Sequence, residues 1–236
     1  MNIAILGAMD EEISLIRSSL QNLSEQQLGP LTLYTGQLGQ ANIALVKCGI
    51  GKVAATLSTA LVINQCHPDY VINTGSAGGF SAERVIGDIV IASELRHHDV
   101  DLTFFGYEPG QCAGMPASYP CDPLMIKLAE QAVSELAGVG YEVGLICTGD
   151  SFIGSDEGAA KIRSTFPQTS AVEMEGVAIA QTCYLMKTPC LVIRSLSDIA
   201  GKTSTVSFQT YLQTAAKNSA ELVMKTIDLV AEQSAG

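Results

Sequence analysis

The sequence predicts an α/β fold built as a single domain spanning residues 1–236, and three observations carry that prediction. Short apolar runs rich in β-branched residues alternate along the chain with segments of helical spacing, the order expected when helices cover a sheet. Carboxylates and glycines gather where the apolar runs stop, and open α/β sheets take their ligands off strand ends. Nearly half of the 236 residues are hydrophobic (47%), so the chain can bury a core of ordinary size without dividing.

Residues 1–9 form a continuous apolar run, read as a buried strand, and Gly7-Ala8-Met9 leaves it through a small-residue turn. Asp10, Glu11 and Glu12 then open a helix. Acids in a first helical turn complement the macrodipole, but three of them directly after a buried strand also put a carboxylate at the sheet's end. Residues 31–38 and 41–47 alternate about Gly39-Gln40, which predicts a β-hairpin. Gly49-Ile50-Gly51-Lys52 leads into a helix over 53–65 and lacks the spacing of a nucleoside-triphosphate loop.

From Tyr70 an apolar strand runs into Gly75-Ser76-Ala77-Gly78-Gly79. Either the glycines end the strand in a turn, or they let the backbone lie against a ligand with no Cβ in the way. Another strand begins at 87–92 and continues toward the adjacent pair His97-His98, whose side chains diverge on a strand. Residues 104–120 make a long loop with exposed apolar residues, the kind that caps a site or lies in an interface. Asp122-Pro123 starts a helix running to about residue 137. The next strand, 141–148, ends in Gly149-Asp150-Ser151-Phe152-Ile153-Gly154, where Phe152 is either core or a platform for a flat ring. A helix over 155–166 stops at Pro167.

The stretch Ser170-Ala171-Val172-Glu173-Met174-Glu175-Gly176 puts two carboxylates where a short apolar strand becomes a helix. In an extended segment Glu173 and Glu175 share a face and Met174 points away from it. Two readings stay open, a helix-dipole role and a ligand site. Pro189 breaks the helix that follows, and an apolar strand from residue 190 ends in Arg194-Ser195-Leu196-Ser197-Asp198. A long amphipathic helix over 207–232, with Phe208 near its start, closes the chain.

Composition removes several function classes. Formal net charge is −11 and no Lys/Arg cluster exists, so no nucleic acid is expected as a partner. No apolar stretch is long enough to span a membrane, and the N-terminus lacks the form of a signal peptide, which predicts a cytoplasmic protein. The seven cysteines are scattered without a C-x-x-C pair, and together with the three histidines they suggest neither a disulfide frame nor a metal site.

Taken together, Gly7-Ala8-Met9-x-Glu11-Glu12, Ser76-Ala77-Gly78-Gly79, Gly149-Asp150-x-Phe152-Ile153, Val172-Glu173-Met174-Glu175 and Arg194-x-x-Ser197-Asp198 resemble the bacterial 5′-methylthioadenosine/S-adenosylhomocysteine nucleosidases. The likeness spans nearly the whole chain. It implies a three-layer α/β/α sandwich around a mixed, partly barrel-like sheet, the purine nucleoside phosphorylase-like fold. It also implies hydrolysis of the N-glycosidic bond of methylthioadenosine, S-adenosylhomocysteine and 5′-deoxyadenosine, in methionine salvage, with no cofactor and no metal.

By that resemblance Asp198 protonates N7 of adenine with Ser197 orienting it, and Glu12 deprotonates the attacking water. Glu175 takes the ribose hydroxyls, and Met174 packs on the sugar. Phe152 stacks on adenine, and the Ile153 backbone reads its edge. Ser76, Ala77, Gly78, Glu173, Arg194 and Phe208 complete the pocket, with Ile50 at the 5′ group. The resemblance further implies a homodimer, in which Leu102 and Phe105 of the loop up to Ala113 complete the partner's site; Ala113 stands where relatives commonly carry proline. Two rivals remain at this point: a phosphorolytic enzyme of the same fold, and a non-catalytic nucleoside-binding module. The first needs convergent cations, whereas the N-terminal turn offers Asp10, Glu11 and Glu12. The second has no use for Glu12 and Asp198 together.

Overall fold

A computed structural model describes residues 1–201 and 204–234. The elements in order are β1 (Asn2–Gly7), α1 (Asp10–Ser19), β2 (Gln21–Leu28), β3 (Leu31–Leu38), β4 (Ala41–Lys47), α2 (Lys52–Cys66), β5 (Tyr70–Gly79) and β6 (Ile89–His97). They continue with β7 (Tyr119–Pro120), α3 (Pro123–Val133), β8 (Tyr141–Thr148), α4 (Asp156–Thr165), β9 (Thr169–Glu173), α5 (Gly176–Met186), β10 (Cys190–Ile199) and α6 (Ser204–Ser234).

The apolar runs are strands because their side chains are buried on both faces, as the continuous hydrophobicity of β1, β5 and β10 requires. Along the sheet β2, β3, β4, β1 and β5 lie side by side, and β5 also pairs with β10. From β10 the sheet passes through β6, β8 and β9 and returns to β5, so five strands close into a ring. Helix α6 packs on β5 and β10 and against α1 and α3, while α2 and α5 pack together on the opposite side. This is the mixed sheet between helical layers, partly closed as a barrel, that the resemblance implies.

Strand β5 belongs to both halves and changes partner along one edge. Residues Tyr70 to Asn73 pair with β1, whereas Gly78 and Gly79 pair with β9, and β10 covers the other edge throughout. Between these two pairings the middle of β5 is left without a ladder neighbour on that side, and the sheet opens there.

The glycines of 75–79 therefore do not end the strand; they continue it. Close approach is the reason at Gly75, where a Cβ would stand 2.7 Å from Glu12 Oε1 and would also meet the Arg194 guanidinium. Strand β2 has no counterpart in the sequence reading. Apart from Leu23 and Leu28 its side chains are polar, and all but Leu28 are exposed, so no hydrophobic alternation announces it; it forms as the outer partner of β3 across the Gly29-Pro30 turn. Helix α3 ends at Val133, short of residue 137, and the chain turns through Ser134 to Gly138, with Gly138 at φ +76°. Among the described residues no helix is long and apolar enough to cross a membrane.

Candidate active site

Glu12 is brought inward by the start of α1. It occupies the third helical position, and its Oε2 accepts from the Ala8 and Met9 N–H groups at 2.7 and 3.2 Å, the reach-back half of a capping box. Its Oε1 faces the open middle of β5 and accepts from the Ser76 N–H at 2.9 Å and the Ser76 hydroxyl at 3.1 Å. Four donors thus hold one carboxylate that is 1% exposed. Asp10 of the same turn is exposed and pairs with Lys47.

On β10 the register against β5 slips between Leu196 and Asp198. A bulge of this kind breaks strict alternation, which lets the consecutive residues Ser197 and Asp198 face one cavity. The Ser197 hydroxyl donates to Asp198 Oδ1 at 2.9 Å, and Gly78 leaves room beside the other oxygen, where a Cβ would stand 3.2 Å from Asp198 Oδ2.

The two glutamates flanking Met174 divide the two readings left open for them. Glu173 caps α5, its Oε2 accepting from the Glu175 and Gly176 N–H groups at 2.9 and 2.7 Å and from Arg194 Nη2, while Oε1 accepts from the Thr148 hydroxyl. Glu175 faces the cavity, with Oε1 held by the Gly51 N–H at 2.8 Å and Oε2 3.4 Å from Arg194 Nη2. Met174 does not point away from them. The strand ends at Glu173 and the chain bends through Met174 and Glu175, so alternation does not carry across them, and Met174 lines the same cavity as Glu175.

Arg194 is the buried cation of this cluster. Nη2 donates to Asn73 Oδ1 at 2.6 Å as well as to Glu173, and Nη1 donates to the Ser76 carbonyl at 3.3 Å. Burial opposes its charge, but Glu173, Glu175 and Glu12 outweigh burial and hold its pKa above the ordinary value. Breaking a buried ion pair from one side costs about 3–5 kcal/mol, because the remaining charge is left uncompensated. Arg194→Met is therefore expected to lower Tm by on the order of 10 °C in a chain of this size. Calorimetry checks this; an unchanged Tm would mean that the glutamates do not need the cation.

Burial pushes the Glu175 carboxyl up to about 7; Arg194 and the Gly51 amide pull it down, while Glu173 and Glu12 add to the rise. Its folded pKa lies above the unfolded value of 4.5, so the native state binds more protons between these limits and stability contributed by this group falls as pH rises through that window. Glu175→Gln removes the effect. The variant's stability relative to the parent should grow from pH 4.5 to 7 and then level off; parallel melting curves across that range would count against it.

These side chains enclose a cavity of about 280 Å³, walled by Ala8, Met9, Glu12 and Ile50 on one side and by Ser76, Ala77 and Gly78 below. Val172, Glu173, Met174, Glu175, Arg194, Ser197 and Asp198 continue the wall, and Phe152 and Phe208 close it, their rings edge to face at 5.8 Å. Ile153 lines a narrow extension beside Gly78, Phe152 and Asp198. Leu102 and Phe105 do not line this cavity; Leu102 precedes and Phe105 ends a short helical turn over Thr103–Phe105, where Phe105 is 73% exposed.

Asn73 and Thr148, which brace Arg194 and Glu173, were not singled out from sequence. Asn73 had a readable signal, a carboxamide in the middle of an apolar strand. Thr148 had none, since β-branched residues suit any strand.

Residues 2–228 match the phosphorylase superfamily. The nucleosidase for 5′-methylthioadenosine and S-adenosylhomocysteine of Pseudoalteromonas translucida is 50% identical over 228 residues, 97% of each chain. The corresponding enzyme of Colwellia psychrerythraea, solved with adenine, superposes with a TM-score of 0.95 at 47% identity, covering 97% of this chain and 95% of that one. That of Neisseria meningitidis, solved with methylthio-immucillin-A, gives 0.94 at 44% identity over 96% and 98%. The chain accordingly belongs to the phosphorylase superfamily and, within it, to the 5′-methylthioadenosine/S-adenosylhomocysteine nucleosidases.

Proposed function

We propose that the protein hydrolyses the N-glycosidic bond of 5′-methylthioadenosine and S-adenosylhomocysteine, releasing adenine and the 5′-substituted ribose. The observation that carries the reading is the opening of the Glu12 and Asp198 carboxyls into one cavity lined also by Glu175. Departure of a purine leaves an oxocarbenium-like sugar, which calls for an acid at the base, a carboxylate for water and negative charge at the ribose.

Asp198 gives its proton to N7, so that adenine leaves neutral, and Ser197 orients it. Glu12 receives a proton from the water that adds to C1′. Ser76 reaches the same oxygen of Glu12 and hands over its hydroxyl contact as that water binds. Glu175 accepts from the ribose hydroxyls against Met174, and Phe152 and Phe208 flank the flat ring beside Ile153. Glu173 and Arg194 hold this arrangement from behind.

Phosphorolysis is disfavoured by the wall itself. Arg194 is the cation among the described lining residues, and it is already committed to Glu173, Asn73 and Ser76. Adenine release from methylthioadenosine should proceed in phosphate-free buffer at a rate that added phosphate leaves unchanged. A strict phosphate requirement, with ribose 1-phosphate as product, would replace this reading by its rival.

The exposed Phe104 and Phe105, with the part-buried Leu102 beside them, fit a second copy of the chain, with Leu102 and Phe105 completing the 5′ side of the partner's cavity. Phe105→Ala is expected to raise KM for both thioether nucleosides and to weaken association in sedimentation. Full activity of a monomer on dilution would remove the dimer from the mechanism.

A further inference from the structure

Helix α2 begins without a cap of its own. Gly51 stands at its N-cap with no side chain to offer, and its first turn contains no acid. Its leading amides must therefore find acceptors elsewhere. They find two carboxylates from distant segments: the Gly51 N–H donates to Glu175 Oε1 at 2.8 Å, and the Lys52 N–H donates to Asp150 Oδ1 at 2.7 Å.

Asp150 is held in turn. Its N–H donates to Asp99 Oδ2 at 2.9 Å, and Asp99 Oδ1 accepts from Lys52 Nζ at 2.7 Å. The circuit closes on itself, from Lys52 to Asp150 to Asp99 and back. The ion pair side chains are only 18% and 28% exposed, so solvent and salt screen it less than a surface pair. Burial acts to raise the pKa of Asp99, but Lys52 and the Asp150 amide outweigh it and hold the carboxyl below its ordinary value. Gly51 is fitted to this geometry, with φ at +93° and space for a Cβ only 3.0 Å from Asp150 Oδ1.

The circuit stands behind the cavity wall and reaches it through neighbouring residues. Ile50 adjoins Gly51, Phe152 and Ile153 follow Asp150, and the Gly51 amide fixes Glu175. Glu12, Ser76 and Asp198 stand on α1, β5 and β10, outside it.

We propose that Lys52, Asp99 and Asp150 are positioning residues that tie the ring-stacking loop to the Ile50–Glu175 side of the cavity. The tie governs how tightly the nucleoside is held and leaves the rate of bond cleavage to Glu12 and Asp198. The kinetic half of this inference rests on the nucleosidase reading above; the mechanical half does not.

Two measurements on Lys52→Met, Asp99→Asn and the double variant test it: adenine release from methylthioadenosine, and hydrogen–deuterium exchange of the unliganded protein. Each single variant should raise KM roughly tenfold, since small misplacements of bound groups are costly, with kcat within about threefold of the parent. The double variant should be no worse than the singles, because the residues act as a unit, and Lys52→Arg should restore KM. Exchange should quicken together in residues 49–53 and 149–154, while the amide of Ser76 and residues 194–198 stay protected.

Additive effects, a fall in kcat at constant KM, or faster exchange confined to residues 97–101 would overturn the tie. If the parent released no adenine, the activity reading alone would fail, and exchange would still decide the tie. If Asp99→Asn did not fold, Lys52→Met carries both measurements.

Discussion

Asp198→Asn is expected to lower kcat for adenine release by about 10²–10⁴-fold, the usual contribution of a positioned proton donor, while free adenine still binds. The substitution keeps the shape of the side chain and an oxygen to accept from the Ser197 hydroxyl. What it removes is the transferable proton. Adenine leaving as an anion is a poor leaving group, and Asp198, 2% exposed, faces the cavity from the bulge on β10. Steady-state kinetics together with titration of adenine measure both halves of the expectation. Parent-like turnover in the variant would assign the acid to another group.

Glu12→Gln is expected to produce a loss of similar size, about 10²–10⁴-fold in kcat, with a second signature in stability. All four donors around Glu12 require an acceptor: two amides on Oε2, an amide and a hydroxyl on Oε1. A carboxamide turns one of these oxygens into a donor. Whichever orientation Gln takes, at least one buried N–H loses its partner, at about 1–3 kcal/mol. Reduced kcat together with a lowered Tm is therefore the expected pattern at position 12. A Tm equal to the parent's would mean that the donors around Glu12 find other acceptors.

Much of this site was readable from sequence because chemistry and packing disagreed there. Acids at 12, 173, 175 and 198 and an arginine at 194 have no packing reason to end apolar runs, and the structure gathers all five around one cavity. The strands β1, β5 and β10 were legible for the complementary reason, since burial on both faces leaves a run of apolar residues. β2 was not legible, because a polar edge strand is written by its neighbour and not by its own residues. The direction of Met174 was misread because alternation holds only while the chain stays extended, and the strand ends one residue before it. The bulge that aims Ser197 and Asp198 together left no mark in the sequence, as it depends on the register of two strands far apart in the chain.

Strand β5 exchanges one neighbour for another partway along its length. In that interval the amide of Ser76 answers to a carboxylate instead of a strand, so its nitrogen reports on the Oε1 side of Glu12 from within the sheet. An isotope label at this position would register arrival of a nucleoside or protonation of the acid as a change in chemical shift. Strand amides locked into regular pairing would stay silent.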